Sequence, residues 1–465
     1  MRGLKFSFFV VVAIAGLSLG SGVGAATGKQ AARSAKAAGP HIRNVVIKGG
    51  AQNNGQIPAR VRRLLRAAVS NPYCPGAVVI TSPPGTQTCT WPTTYAGPVT
   101  CLQSSTSALM VQTCDATQTS ATQNNNALIV QVIWSQNPPS PQGGTQIVKL
   151  RQMNGSGANN ALISQYIKQS LGRGTPEDTE ENELEPDASP TPVTITQKQE
   201  SHQIVHLRQV SVSGNNTAPI FQFLRQRERA ANAGTINQSQ NTDNAVLCTK
   251  DESDGLDFSV SVDPNANMCI LLNQKSGNGK QFATLTGDYN QFQRVRKAGA
   301  GSQLQGNLTP FIGGEDYGLT QDSTGVSSVL TIQNERQVQR AVEAAVTQSQ
   351  NGPRKGEGST QGTNPNDTWR GFQTSTQSQT KRPTPAEIGL FQLAPGTQST
   401  FLFYSALTSG NVSATQTANQ NGQTSTNSCS GNACDIFIQG VNGIFIQTCP
   451  EGQFLNPATG RCVSH

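Results

Sequence analysis

Hydrophobic and polar residues alternate along much of this chain, and the alternation itself repeats. Residues 147–169, IVKLRQMNGSGANNALISQYIKQ, return without a gap as residues 204–226, IVHLRQVSVSGNNTAPIFQFLRQ, with 12 of 23 positions identical. In each copy a strand-like run leads into a loop rich in Gly, Ser and Asn, and a second strand-like run follows. The pattern therefore predicts a strand–loop–strand unit.

The fixed points of this unit are mostly Asn and Gln, and Gln makes up roughly a tenth of the chain, well above average usage. In a stacked β array, identical residues of successive units lie one above another, so amide side chains can form hydrogen-bonded ladders around an aliphatic interior. A shorter match relates residues 108–112 to 127–131, and residues 436–439 return as 444–447. The predicted ladder residues are Gln112, Gln131, Gln152, Asn159, Gln165, Gln209, Asn216 and Gln222.

Around the shared Asn-x-Ala segment, the pattern resembles the curlin-type repeats of bacterial extracellular fibres. Gln152, Asn159, Ala161 and Gln165 carry the resemblance in the first copy, and the same residue types stand 57 positions later. The resemblance implies stacked strand–loop–strand units. It also makes self-association a candidate interaction.

The amino terminus has the pattern of a secretory signal peptide over residues 1–26. Arg2 and Lys5 precede an apolar run, and small residues follow it at a suitable cleavage position. The alternative is an uncleaved anchor. After signal cleavage no second apolar run is long enough to span a membrane, so we expect a secreted or cell-surface protein in an oxidising compartment.

All ten cysteines follow the signal region, which makes each of them a disulfide candidate. They are Cys74, Cys89, Cys101, Cys114, Cys248, Cys269, Cys429, Cys434, Cys449 and Cys462. Spacing leaves the pairing of the first four open. The closures Cys449–Cys462 and Cys248–Cys269 are the favoured pairs. The segment TCPEGQFLNPATGRC (448–462) resembles the last loop of peritrophin-type chitin-binding modules, so it is either a disulfide-closed cap or part of a glycan-binding module.

Breaks in the pattern suggest a domain organisation. Helical spacing is predicted at 57–71, a basic amphipathic segment, and at 334–350. The Pro-rich acidic stretch 176–192 is predicted to be disordered; a calcium site there is the alternative. The predicted divisions are a basic leader at 27–73, a cysteine-braced β module at 74–114, repeats at 115–247, hairpins plus a helix at 248–350, a linker at 351–385, and a β segment with a cysteine-rich cap at 386–465.

Candidate catalytic chemistry is sparse. The common nucleophile, metalloprotease, phosphate-loop and kinase motifs are missing from the sequence. His202 and His206 are four apart on a strand-like segment, about 13 Å at normal strand rise, and are expected to be exposed rather than ligands of one metal ion. The formal net charge of +7 falls to +5 without Arg2 and Lys5, which does not favour a nucleic-acid partner.

The sequence therefore predicts a mainly β protein with an irregular solenoid-like repeat array, disulfide-braced β modules, short helices and disordered linkers. No catalytic residue, metal site or cofactor is predicted. The expected function is structural or adhesive, at a cell surface or in an extracellular matrix, with self-association or an extracellular polymer or glycan as partner. The alternative is a glycan-binding protein that uses the C-terminal cysteine-rich loops.

Overall fold

The computed structural model describes residues 71–82, 85–136, 141–172, 194–240, 266–306, 314–342, 344–351, 356–360, 364–382, 396–448, 453–456 and 461–464. These residues belong to one compact unit, 68–465, and their regular structure is entirely β. The strands are β1 Val78–Ser82, β2 Thr86–Thr90, β3 Val99–Ser105, β4 Leu109–Ser120, β5 Asn125–Gln136, β6 Gln142–Asn154, β7 Asn159–Leu171, β8 Thr194–Ser211, β9 Asn216–Gln240, β10 Ala266–Ser276, β11 Gln281–Gln305, β12 Gly314–Asp322, β13 Ser327–Val342, β14 Ala344–Asn351, β15 Gly356–Thr360, β16 Thr368–Arg382, β17 Thr397–Gln420, β18 Gln423–Val441, β19 Ile444–Gln447, β20 Gln453–Asn456 and β21 Arg461–Ser464.

Most of the strands form two parallel stacks that face each other, and the remote ends of β8, β9 and β11 form a third parallel row with β14 and the start of β17. In the first stack β2, β4, β6, β8, β10 and β12 pair in that order. In the second stack β3, β5, β7, β9, β11, β13, β16 and β17 do the same. One strand from each stack makes a rung, and successive rungs form a solenoid. The prediction of a mainly β, solenoid-like repeat array is confirmed.

The register between rungs follows the alignment of the repeat. Ile147 lies opposite Ile204 in the first stack, and Gln165 lies opposite Gln222 in the second. Between the stacks the rungs bury columns of aliphatic side chains, such as Ile129, Ile163 and Ile220, each with no exposed surface. The repeat is therefore a stacking register, because identical residues lie directly above one another.

A turn of constant length joins the two strands of each rung. Four residues separate β4 from β5, β6 from β7, β8 from β9, β10 from β11 and β12 from β13. A Cβ atom at Gly214 would collide with the carbonyl oxygen of Gly157 one rung below, and one at Gly279 would collide with that of Gly214. The Gly of the repeat loop is fixed because stacked turns bring backbone against backbone.

The chain varies in length where it returns from the second stack to the first. Twenty-two residues separate β7 from β8, and 25 separate β9 from β10. The interval between stacked residues is therefore 34 in one rung, 57 in the next and 65 in the one after. The repeat spacing is irregular because the insertions fall on one side of each rung and leave the strand–turn–strand unit intact.

Two expectations are wrong. The segment 334–350, predicted to be helical, belongs to strands β13 and β14. Its Ala341 and Val346 pack in the interior, where tertiary pairing overrides a 3.6-residue spacing. His206 is not exposed: only 1% of its surface is accessible, although it does lie on a strand. The predicted helix at 57–71 and the acidic segment 176–192 lie outside the described residues, apart from residue 71. Strands β15 and β16 fall within the predicted linker 351–385.

Candidate functional site: the amide ladders and their ends

Buried amide side chains form continuous hydrogen-bonded ladders along the stacks. In the second stack, Gln165 Nε2 donates to Gln131 Oε1 at 2.8 Å, and Gln222 Nε2 donates to Gln165 Oε1 at 2.8 Å. Gln131 donates in turn to Gln103. None of these side chains has exposed surface. The sequence-predicted residues Gln131, Gln165 and Gln222 are thus consecutive members of one ladder.

Each amide also binds across the interior. The same Nε2 atom of Gln165 donates to the carbonyl oxygen of Ile204 in the first stack at 3.1 Å, and that of Gln131 donates to Ile147 O at 3.1 Å. A buried amide hydrogen without an acceptor would cost about 1–3 kcal/mol. Using one hydrogen along the ladder and the other across it satisfies both and ties the two stacks together.

The remaining predicted residues belong to three other ladders. Gln152 and Gln209 lie in the first stack, in the ladder Gln118–Gln152–Gln209–Gln274–Gln321. Asn159 and Asn216 extend from Asn125 at the start of the second-stack strands, with amide contacts of 2.9 Å. Gln112 bonds to Gln87 and Gln146.

The structure does not stack Gln112 with Gln131. They lie in opposite stacks, and Gln131 Nε2 donates to the backbone oxygen of Gln112 at 3.1 Å. The match between 108–112 and 127–131 therefore relates two strands that face each other. The C-terminal match is different again, since β18 and β19 pair antiparallel with Ile438 opposite Gln447.

The two longest ladders were not predicted from the sequence. One is Gln142–Gln199–Gln240–Gln305–Gln350–Gln398, and the other is Gln169–Gln226–Gln291–Gln337–Gln377–Gln420. Their signal is the Gln-x-Gln spacing, as in residues 348–350 and 377–379. A search of the sequence for glutamine at every second position would have found this signal.

Both ends of the solenoid finish in antiparallel strands. At the start, β1 pairs antiparallel with β2, and Tyr73 forms an antiparallel bridge with Leu102 of β3. At the other end, β18 runs back along β17 from Gln420 to Ser399, with one irregularity between Leu407 and Val412. An antiparallel strand cannot continue the parallel stacking of like residues, so the ladders stop there.

Two Asn-Gly turns build the C-terminal end. Asn421 and Asn442 have positive φ angles of 48° and 50° and connect β17 to β18 and β18 to β19, as two-residue hairpins require. Asn442 Oδ1 accepts the backbone N–H of Gln398 at 2.8 Å. Gln420 Oε1, the free end of its ladder, accepts the N–H of Gly443 at 2.7 Å. The final amide is thereby satisfied without another rung.

Disulfides brace the same ends. Cys74–Cys89 and Cys101–Cys114 lie in the first rungs, and Cys429–Cys434 lies within β18. All six cysteines whose side chains the structure describes are in these bonds. Cys269 lies on β10 and Cys462 on β21, whereas Cys248 and Cys449 lie outside the described residues, so the pairs Cys248–Cys269 and Cys449–Cys462 stay predictions.

Ionisable groups are also buried within the array. Glu228 Oε2 accepts a hydrogen bond from Gln293 at 2.9 Å and starts the ladder Glu228–Gln293–Gln339–Gln379. Burial raises the pKa of Glu228 well above its usual range, and does the same to Glu335, which accepts from Ser375. Burial, with Lys149 nearby, lowers the pKa of His206 to about 4. A protonated Glu228 carries no charge, like the glutamines above it.

Comparisons with known proteins add no relative. No protein-family model matches the chain, and neither the curated proteins nor the solved structures contain a match. Within the residues that the structure describes, no helix has the length and apolar character needed to cross a membrane.

Proposed function

We propose that this chain is a secreted structural or adhesive protein of a cell surface or extracellular matrix, in which the solenoid is a stiff spacer of fixed length. The supporting observation is the set of amide ladders that pass from rung to rung and end in antiparallel strands. Every rung is bonded to its neighbours through the backbone and through buried side chains, so local opening must break many bonds together.

The two ends of the solenoid bear on whether the protein assembles with other copies of itself. A bare parallel edge exposes unpaired N–H and C=O groups and can template another chain. Here β1 covers β2 and β18 covers β17 in the opposite direction, and Tyr73 bridges to β3. The proposed object is therefore a rod that works as one copy with defined ends.

The proposed function is tested by determining where the protein is found in its producing cells. Antibodies against the purified protein should label intact producing cells or their matrix, and non-reducing mass spectrometry should find the mature chain disulfide-bonded. Deletion of the gene should weaken surface attachment or matrix cohesion. Protein confined to the cell interior with free thiols would contradict the proposal.

A second measurement addresses the rod itself. Light scattering on the purified full-length protein should give a monomer across a wide concentration range. A variant ending at residue 422, which leaves β17 uncovered, should form larger assemblies. Fibres formed by the full-length protein would contradict the assignment of the antiparallel strands as stops.

A further inference from the structure

The outward side of the second stack carries a cluster of cations, which we call the basic face. It consists of Lys168 on β7, Arg225, Arg227 and Arg229 on β9, Arg294 on β11, and Arg336 and Arg340 on β13. These residues alternate with the buried glutamine positions of the same strands, so their side chains lie on the outer surface. Chain-wide net charge conceals this cluster, because the fold gathers cations from four separate segments.

The cations lie in register. Arg229, Arg294 and Arg340 are direct partners on three successive strands, and Lys168 is the partner of Arg225. Successive strands are about 4.8 Å apart, and alternate residues along one strand about 6.7 Å. Like charges directly opposite one another on a sheet are destabilising. Burial and the neighbouring Arg294 lower the pKa of Arg229, and burial and Arg225 lower that of Arg227.

Acidic compensation on this face is slight. At the outward positions of the described strands β7, β9, β11 and β13, Asp288 is the one carboxyl group. It accepts a hydrogen bond from Asn290 at 2.8 Å and lies near Arg225; burial raises its pKa, and Asn290 and Arg225 partly oppose that rise.

The outer side of the first stack also carries an in-register pair, Arg151 and Arg208, but carboxyl groups lie beside other cations there. Lys149 is the partner of Asp115, and Lys275 pairs with Asp322 at 3.2 Å. The basic face thus retains a net positive charge in a regular array.

Aromatic rings hold the cations in place. Lys168 Nζ lies 4.5 Å from the ring centroid of Trp134, and the guanidinium carbons of Arg227 and Arg340 lie 5.5 and 5.9 Å from that of Phe292. Single-strand binders need aromatic faces free to stack on bases. The rings of Trp134 and Phe292 are covered by these cations, so they serve as cation–π supports.

From this arrangement we propose that the basic face binds a linear acidic polysaccharide. A flat, periodic row of charges matches an extended polymer rather than a small anion, and the forked guanidinium is suited to paired hydrogen bonds with carboxylate groups. The proposal builds on the proposed function, for which it names the partner class. It is tested on purified protein, so its outcome is independent of where cells place the chain.

The test compares two triple variants of the full-length protein. The first is Arg229→Thr, Arg294→Thr and Arg340→Thr, because Thr380 is the next residue of that column. The matched control is Lys149→Thr, Arg151→Thr and Arg208→Thr, which removes the same charge from the outer side of the first stack, where Arg151 and Arg208 are partners. Circular dichroism and the denaturation midpoint establish that both variants fold.

Binding is measured by calorimetry with polygalacturonate, with neutral dextran and with duplex DNA, over a range of salt concentrations. We expect wild-type protein to bind polygalacturonate, the first variant to lose roughly tenfold or more in affinity with a shallower salt dependence, and the control to change less than about twofold. Equal loss in both variants would show attraction by net charge alone and overturn the proposal. Absence of polygalacturonate binding, or tighter binding of DNA at the same salt, would also overturn it.

Discussion

The interior of the rungs and their outer surface follow different rules. Inside, like residues recur from rung to rung: Ile129, Ile163 and Ile220 in one column, and six glutamines in each of the longest ladders. Outside, neighbouring positions differ, as in the column Asn160, Thr217, Phe282 and Ser328. Stacking therefore requires the same residue type in successive rungs only where a side chain bonds to, or packs against, the equivalent side chain of the next rung.

Interior residues stabilise the fold, whereas outer residues are available for binding. Each buried amide needs the same amide above and below it, so interior change is costly. An outer side chain has water as an alternative partner and is free to vary. A set of outward residues with one sign of charge, such as the basic face, therefore requires an explanation other than folding.

The largest expected effect comes from a charge placed in the aliphatic column. Ile220→Asp should unfold the array or lower its free energy of unfolding by several kcal/mol, because a buried carboxylate without a partner is poorly solvated. Phe221→Asp, one position along on the outer side, should cost far less. Denaturant melts of the full-length protein, followed by circular dichroism, would measure both. Equal losses would mean that the alternation between inside and outside is not what the fold requires.

Removing one rung of a ladder is the next test. Gln291 Nε2 donates to Gln226 Oε1, and Gln291 Oε1 accepts from Gln337, each at 3.0 Å. Gln291→Leu should lower the free energy of unfolding by about 2–3 kcal/mol, since both neighbours lose a partner where no water can replace it. Thr286→Leu, on the outer side of the same strand, is the control. A neutral Gln291→Leu would argue that the ladders are incidental to stability.

Much of the interior could be predicted from the sequence, because identical residues reveal register. The 57-residue alignment of Gln165 with Gln222 is the register of the strands. The strand at 334–350 could not be read from local spacing, since its partners in β11 and β16 decide its conformation. The Asn421-Gly422 and Asn442-Gly443 turns carried a hairpin signal in the sequence. The basic face carried none, because only the fold brings the cations of β7, β9, β11 and β13 to one side.

A pH effect should follow from the carboxyl group within the ladder of Gln293. Glutamate in an unfolded chain has a pKa of about 4.3, and burial raises that of Glu228 in the folded chain. Below pH about 4 the group is protonated in both states. As the pH rises, the unfolded chain loses this proton first, so the free energy of unfolding falls until the pH passes the folded pKa.

Glu228→Gln should therefore raise the free energy of unfolding at pH 7 by about 1–2 kcal/mol and leave it near the wild-type value at pH 4. Melts at a series of pH values would show a flatter profile for the variant, with the remaining slope in this range partly due to Glu335, which burial shifts in the same direction. A variant less stable than wild type at pH 7 would mean that Glu228 is ionised in the folded protein.

The smallest effect is expected on the outer surface, and its sign is informative. Arg294 lies between Arg229 and Arg340 in the basic face, so Arg294→Thr should raise the free energy of unfolding by about 0.2–1 kcal/mol at low ionic strength. High salt should erase the gain, because exposed charges are then screened. Lys149→Thr is the opposite case, since Lys149 lies beside Asp115 in the first stack and its loss removes an attraction. If Arg294→Thr instead lowers the free energy of unfolding as Lys149→Thr does, the arginine column stabilises the fold. Its charges would then be explained without an anionic ligand.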